Sequence, residues 1–356
     1  MKRILRTLAI ALTALALLWS AGWYIVADRL DTIVTAWVEK RRAQGWTATY
    51  AGLTLEGFPF AWRARIREPV LDAPAAKPPF RWSGPVILLD WKPWQAERIG
   101  FDAPGAHRLV ATDPSSETTA ALTSNQATGE IVFGGPDGLK GLSAHIDGAI
   151  LATIPGSLDA PPDRPGIRID RIDAAFDAAP APRKGSADSK TPSTRINASI
   201  LGMTLPESVK SPLGRTIGSI ALDATILGRL PRTETRDALD AWRNDGGLVE
   251  IDRFHLGWSR LVLDASGSFA LDRSLQPVVS ASGTISGHQE TLTALTASGA
   301  LKPGEALIVS MALTFLEGGK QRGDRPEIRV SLSIQDGWLY LGPVKLLKVP
   351  PILWNR

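Results

Sequence analysis

The chain has 356 residues, 44% hydrophobic and 21% charged, with a formal net charge of +4. That composition is globular, and the mild positive excess, spread along the chain, does not point to nucleic acid. Cysteine is absent, which excludes disulfides, thiolate nucleophiles and cysteine-ligated metals.

Residues 1–6, MKRILR, form a basic tail, and an uncharged apolar run follows from Thr7 to Ala27. As a helix, residues 7–27 reach about 31 Å, enough for the hydrocarbon core of a bilayer. Trp19, Trp23 and Tyr24 fall near the outer end, where aromatic belts sit. The basic flank predicts a single-pass segment with a cytoplasmic N-terminus and the bulk of the chain exported. A cleaved signal peptide is the competing reading, with Ser20-Ala21-Gly22 as its small-residue site. The apolar run continues through Ala27, longer than a normal signal core, and this favours an uncleaved anchor.

Across residues 28–45, Leu30, Ile33, Val34, Trp37 and Val38 recur at helical spacing. This predicts a juxtamembrane helix with Lys40, Arg41 and Arg42 in its last turn and Gly45 as C-cap. From residue 46 to 356 the dominant period is two. Trp46, Ala48 and Tyr50 alternate with threonines, Gly52 reads as a bulge, and Glu56-Gly57 reads as a turn. In EGFPFAWRARIREP, Phe58, Phe60, Trp62, Ala64 and Ile66 share one parity. Arg63, Arg65 and Arg67 share the other. Alternation returns at Leu142–Ile154, Ile196–Ile200, Ile220–Ile226, Phe254–Trp258, Leu261–Leu271 and Ile328–Ile334, and Asp336-Gly337 is a hairpin signal. Helical pattern is confined to Thr233–Asp245 and to a late pair, whose second member has Leu307, Ile308, Met311, Ala312 and Phe315 as its stripe. Residues 179–194, rich in Pro, Ser and Lys, read as a mobile loop.

The predicted fold is mainly β: a transmembrane helix, then a large curved antiparallel sheet with a few short helices. One face of the sheet is apolar and one is wet. The apolar face closes as a barrel or sandwich, or stays open as a trough. Periodicity alone favours an ordinary closed core.

Catalytic signatures are missing. His107, His145, His255 and His288 have no partner at helical spacing, so no helix-borne metal motif exists. There is no nucleophile elbow, and GKQRG (residues 319–323) lacks phosphate-loop spacing. His255 alternates with Phe254 and Leu256 and reads as a surface histidine; Asp252, Asp264 and Asp272 read as turn or edge carboxylates. No enzyme activity, cofactor, catalytic residue or metal is expected.

The anchor, GFPF (Gly57–Phe60), the stretch Leu239–Asp272 and DGWLYLGP (Asp336–Pro343) together resemble an uncharacterised bacterial family of single-span envelope proteins, a domain of unknown function. More weakly, the anchor and strands such as Gly267–Asp272 are similar to AsmA-like proteins. That second resemblance implies an apolar β-groove, lipid handling and envelope maintenance, on a chain much shorter than the large bridging members. The expectation is an inner-membrane protein facing the periplasm that binds lipid or another apolar ligand, with membrane lipids and other envelope proteins as partners. Trp46, Tyr50, Phe58, Phe60 and Trp62 are candidates to line the groove. Arg63, Arg65 and Arg67 are candidates for anionic lipid, although a solvated, edge-protecting face is the simpler reading. A scaffold with a closed core is the alternative function. A hydrolase is a third reading, which a Ser–His contact or a carboxylate pair in a cleft would favour.

Overall fold

The computed structural model describes Ser20, Tyr24, Thr35, and residues 38–43, 45–76, 78–95, 97–113, 118–134, 139–154, 165–178, 192–228, 235–302, 304, 306–307, 309–311, 313, 328–342 and 344–352. Among the described residues, no helix is long and apolar enough to cross a membrane. The expected span at 7–27 lies outside them apart from Ser20 and Tyr24. So does the proline-rich loop as far as residue 191; its last three residues, Pro192–Thr194, belong instead to a strand.

Most of the alternating stretches form strands. Among the described residues, eighteen strands pair antiparallel, and the chain divides into two compact units, residues 1–133 with 146–166 and residues 134–145 with 167–356.

In the first unit, residues 38–43 are helical. The helix ends as its glycine predicted. Gly45 sits at φ 78°, its N–H bonds the Arg42 carbonyl, and the Trp46 N–H bonds the Arg41 carbonyl. This pairing of a 5→2 with a 6→1 bond is the Schellman motif. The strands are β1 (Thr47–Thr49), β2 (Gly52–Glu56), β3 (Trp62–Arg67), β4 (Val70–Ala73), β5 (Phe80–Ser83), β6 (Val86–Trp91), β7 (Arg98–Asp113), β8 (Thr118–Phe133) and the end of β9 (Leu139–Ile154). Strand β7 carries two branches. Its first half pairs with β6, which continues through β3 to β2. Its second half pairs with β5, which continues through β4 to β1. Between them the β7–β8 register shifts from Pro104 to His107, and Gly84-Pro85 separates β5 from β6. His107 is buried at this fork.

The second unit is a regular meander. It comprises the start of β9, then β10 (Ile167–Ala178), β11 (Pro192–Thr204), β12 (Thr216–Leu227), β13 (Leu248–Trp258), β14 (Leu261–Leu271), β15 (Pro277–Ser286), β16 (Ile328–Gln335), β17 (Trp338–Leu341) and β18 (Val344–Lys348). Successive strands from β10 onward pair as neighbours. The Asp336-Gly337 hairpin forms as predicted, with φ of 51° and 72° at its two central residues, the mirror-image turn that suits strand twist.

Two short helices lie on this unit. Helix α1 (Arg236–Asn244) buries Trp242, whose Nε1–H donates to the Leu227 carbonyl at 3.1 Å. A side chain at Gly247 would enter the Trp242 indole, so the glycine is what lets the ring lie flat there. Trp242 closes a corner of the core with Leu271 and Leu275. Helix α2 (His288–Ala297) and the helical residues 306–307, 309–311 and 313 close another corner, where Leu313 packs with Ile328, Val330 and Leu341. The predicted stripe of the second helix is therefore out of phase. Leu307 and Met311 are exposed at 57% and 62%, while Val309 and Leu313 face the core; Ile308, Ala312 and Phe315 lie outside the described residues.

Candidate functional site

The wider part of the second unit presents one apolar face, and register explains its order. Ile172, Ile200, Ile220, Leu256, Leu263, Ile285 and Ile328 are successive cross-strand partners from β10 to β16. Partners directly opposite in an antiparallel pair share a face. With strands about 4.8 Å apart, this single row runs roughly 29 Å. A second row sets Ala174, Ala198, Leu222, Phe254, Ala265, Gly283 and Val330 side by side. A third runs from Phe176 through Ile196, Ala224, Ile251 and Gly267 to Ala281 and Leu332. Ile251 and Phe254 share this face despite their opposite parity. A bulge between them resets the period.

Burial along the rows is uneven. The buried clusters lie at the corners held by α1 and by α2. Between the corners, Ile172, Ile200, Ile220, Leu222, Phe254, Leu256 and Leu263 are only half-buried. Beside the α2 corner, a cavity of about 650 Å³ is lined by Gln289, Thr293, Ala297, Ala306, Leu307 and Ser310 among others.

The residues singled out in sequence lie in the first unit, and the structure sets them in separate pairs. Trp46 packs edge-on against Phe80 at 5.6 Å, with the Arg41 guanidinium 5.0 Å from its ring. Trp62 stacks obliquely on its β3–β6 partner Trp91 at 4.8 Å. Phe58 meets Tyr24 at 6.2 Å. Tyr50 is half-buried just after β1. The strand begins at Trp62 and not at Phe58. Residues 57–61 form a turn closed by bonds from the Phe60 and Ala61 N–H groups to the Gly57 carbonyl. Phe58 and Phe60 therefore stand at 49% and 70% exposure. On the other face of β3, Arg63 pairs with Asp90 at 3.2 Å and Arg65 with Glu56 at 3.3 Å. Arg67 lies across Gly52, where a Cβ would come within 2.7 Å of its guanidinium. The arginine row is laced to neighbouring strands.

The polar face of the second unit is joined from strand to strand. Asp173 links His145 to Ser199, Asn197 donates to Asp223 at 2.7 Å, and Thr225 donates to Asp252 at 3.1 Å. One chain of contacts has a different order. Ser219 Oγ lies 2.9 Å from His255 Nε2, and His255 Nδ1 lies 2.8 Å from Asp264 Oδ1. Read in sequence, His255 was a surface histidine and Asp264 a turn or edge carboxylate. Their meeting depends on which strands are neighbours, for which the sequence carries no local signal. No group of His, Asp and Glu that would hold a metal occurs among the described residues.

These features define a mainly β protein built on a two-faced antiparallel sheet. It belongs to a bacterial family: the uncharacterized protein conserved in bacteria (DUF2125) matches residues 23–350. No curated protein and no solved structure matches the chain, and the AsmA-like likeness is carried by none of these comparisons.

Proposed function

We propose that the chain is held in the bacterial inner membrane by residues 7–27, with its sheet in the periplasm. There it binds a lipid or lipid-like apolar ligand on the apolar face of β10–β16, in maintenance of the envelope. The observation that carries this reading is the half-buried state of the rows through Ile200, Ile220, Leu256 and Leu263. Transfer of such surface out of water is worth roughly 25 cal/mol per Å², and an acyl chain has the length and polarity to cover a row. The aromatic pairs of the first unit are a lesser candidate, because they are dispersed and Trp62 already packs on Trp91.

Native extraction of the full chain, followed by mass spectrometry of co-purifying lipid, tests the proposal. A stoichiometric lipid retained through washing is the expected result. Recovery of lipid-free protein would remove the main support. A scaffold with a closed core is the second reading, favoured by the corners sealed by Trp242 and Leu313; it predicts protein crosslinks and no retained lipid.

A further inference from the structure

We propose that Ser219, His255 and Asp264 form a nucleophilic site that cleaves carboxylic esters with small apolar acyl groups. The atom order decides between this and an ordinary polar contact. A carboxylate only accepts hydrogen bonds, so the proton between His255 and Asp264 sits on Nδ1. In the neutral imidazole Nε2 is then an acceptor, and the hydroxyl of Ser219 must donate to it. That is the arrangement of nucleophile, base and orienting carboxylate recognised by geometry on unrelated folds. The neighbouring group of the same residue types shows the contrast. There Asp173 stands between His145 and Ser199, so the serine meets no base through that contact.

The surroundings of Ser219 add a second argument. The β12–β13 register shifts between Ile217 and Ser219, and bulges re-aim side chains beside reactive sites. Directly opposite Ser219 stands Gly257, where a Cβ would come within 2.8 Å of Ser219 Oγ. The missing side chain leaves a notch beside the hydroxyl. Leu201 on β11, 42% exposed, and Val262 on β14 continue the same row. The notch beside Ser219 Oγ thus has an apolar side chain in the row on either side.

In the reaction, Ser219 Oγ bonds to the ester carbonyl carbon while its proton moves to His255 Nε2. Asp264 is the positioning residue that holds the resulting imidazolium. The tetrahedral adduct collapses, the C–O bond to the alcohol breaks, and the alcohol leaves with the proton from Nε2. Water then attacks the acyl-serine, giving one proton to Nε2. The acid departs and Ser219 recovers the proton. The sum is ester plus water to acid plus alcohol.

The test uses the full chain in detergent with a fluorophosphonate probe and with p-nitrophenyl butyrate. The expected result is a covalent adduct on the Ser219 peptide, absent in S219A. Adduct formation and ester turnover should fall about 100-fold or more in H255Q, the range of general-base contributions. G257A keeps all three residues but fills the notch and presses on Ser219 Oγ; it should block labelling while keeping the melting transition. S199A, on the neighbouring chain of contacts, should label as the parent does. No adduct at Ser219, or equal labelling of parent and H255Q, overturns the proposal. If H255Q fails to fold, G257A decides: a folded G257A that labels like the parent overturns it, and one that does not label supports it.

Discussion

His107 is a polar ring in a dry place. It lies at the fork of the first unit, stacked on Trp82 at 5.6 Å with 13° between planes and pressed over Gly84. Neither ring nitrogen has a hydrogen-bond partner of good geometry, although backbone at Pro104 and Val86 lies close enough to offset part of the burial. Burial pushes its pKa below the ordinary 6.5, because the charged form loses its hydration. The unfolded chain then binds the proton more readily, so the folded state weakens as pH drops below 6.5 towards the lowered value. Above 6.5 the ring is neutral in both states and adds no pH dependence. Chemical denaturation of the full chain at pH 7.5 and 5.5 should show this loss, and H107F should show less of it. An unchanged pH difference in the variant would refute the assignment. Gly84→Ala belongs to the same contact. Its Cβ would fall within 2.0 Å of His107 Nδ1, so it should cost about 1–3 kcal/mol by overpacking, read as a lower denaturation midpoint.

At the scale of elements, α1 is short and Trp242 is its buried residue. Trp242 fills a corner with Leu271 and Leu275 and donates its indole proton to β12. Asp272 ends β14 by accepting from the Ser274 and Gln276 N–H groups, and its carbonyl takes a bond from Arg243 of α1. Trp242→Ala should cost about 3–5 kcal/mol, the range for emptying a buried aromatic site, measured by denaturant midpoint. A loss under 1 kcal/mol would mean α1 is dispensable to the core. Strand β3 gives a different expectation. Two of its arginines are already in exposed cross-strand ion pairs, which contribute little each. Neutralising Arg63, Arg65 and Arg67 to Gln should therefore leave binding to anionic liposomes within about twofold, since head groups would compete with Asp90 and Glu56. A tenfold loss would assign them to lipid.

For the whole molecule, the proposed ligand face and the proposed ester site occupy opposite faces of the second unit's sheet, so they can be separated. Leu222→Asn with Leu256→Asn places two amides in the apolar rows and leaves Ser219, His255 and Asp264 untouched. Co-purified lipid should drop several-fold while the β circular-dichroism signal persists. Full retention of lipid would move the binding surface to the first unit, where Phe58, Phe60 and Trp94 are among the exposed aromatics.

What was legible in sequence was local. Alternation from Ile196 to Ile200 or Ile328 to Ile334 marks a strand and its two faces, because side chains alternate at every residue. The Asp336-Gly337 turn and the Gly45 cap are equally local, since each needs only its own positive φ. Phase errors arose where a local rule was interrupted: at Phe58–Ala61, which turns before β3, and at Leu307 and Met311, whose helix face is set by what Leu313 packs against. The sequence by itself determined that the chain would be a two-faced β protein. Only the tertiary structure decided which strands are neighbours and in what register. That aligns Ile172 with Ile328 across seven strands and brings Ser219 within reach of His255. Pairing depends on contacts between residues far apart in the chain and on bulges that shift whole strands by one residue, and neither leaves a mark on the period of any single strand.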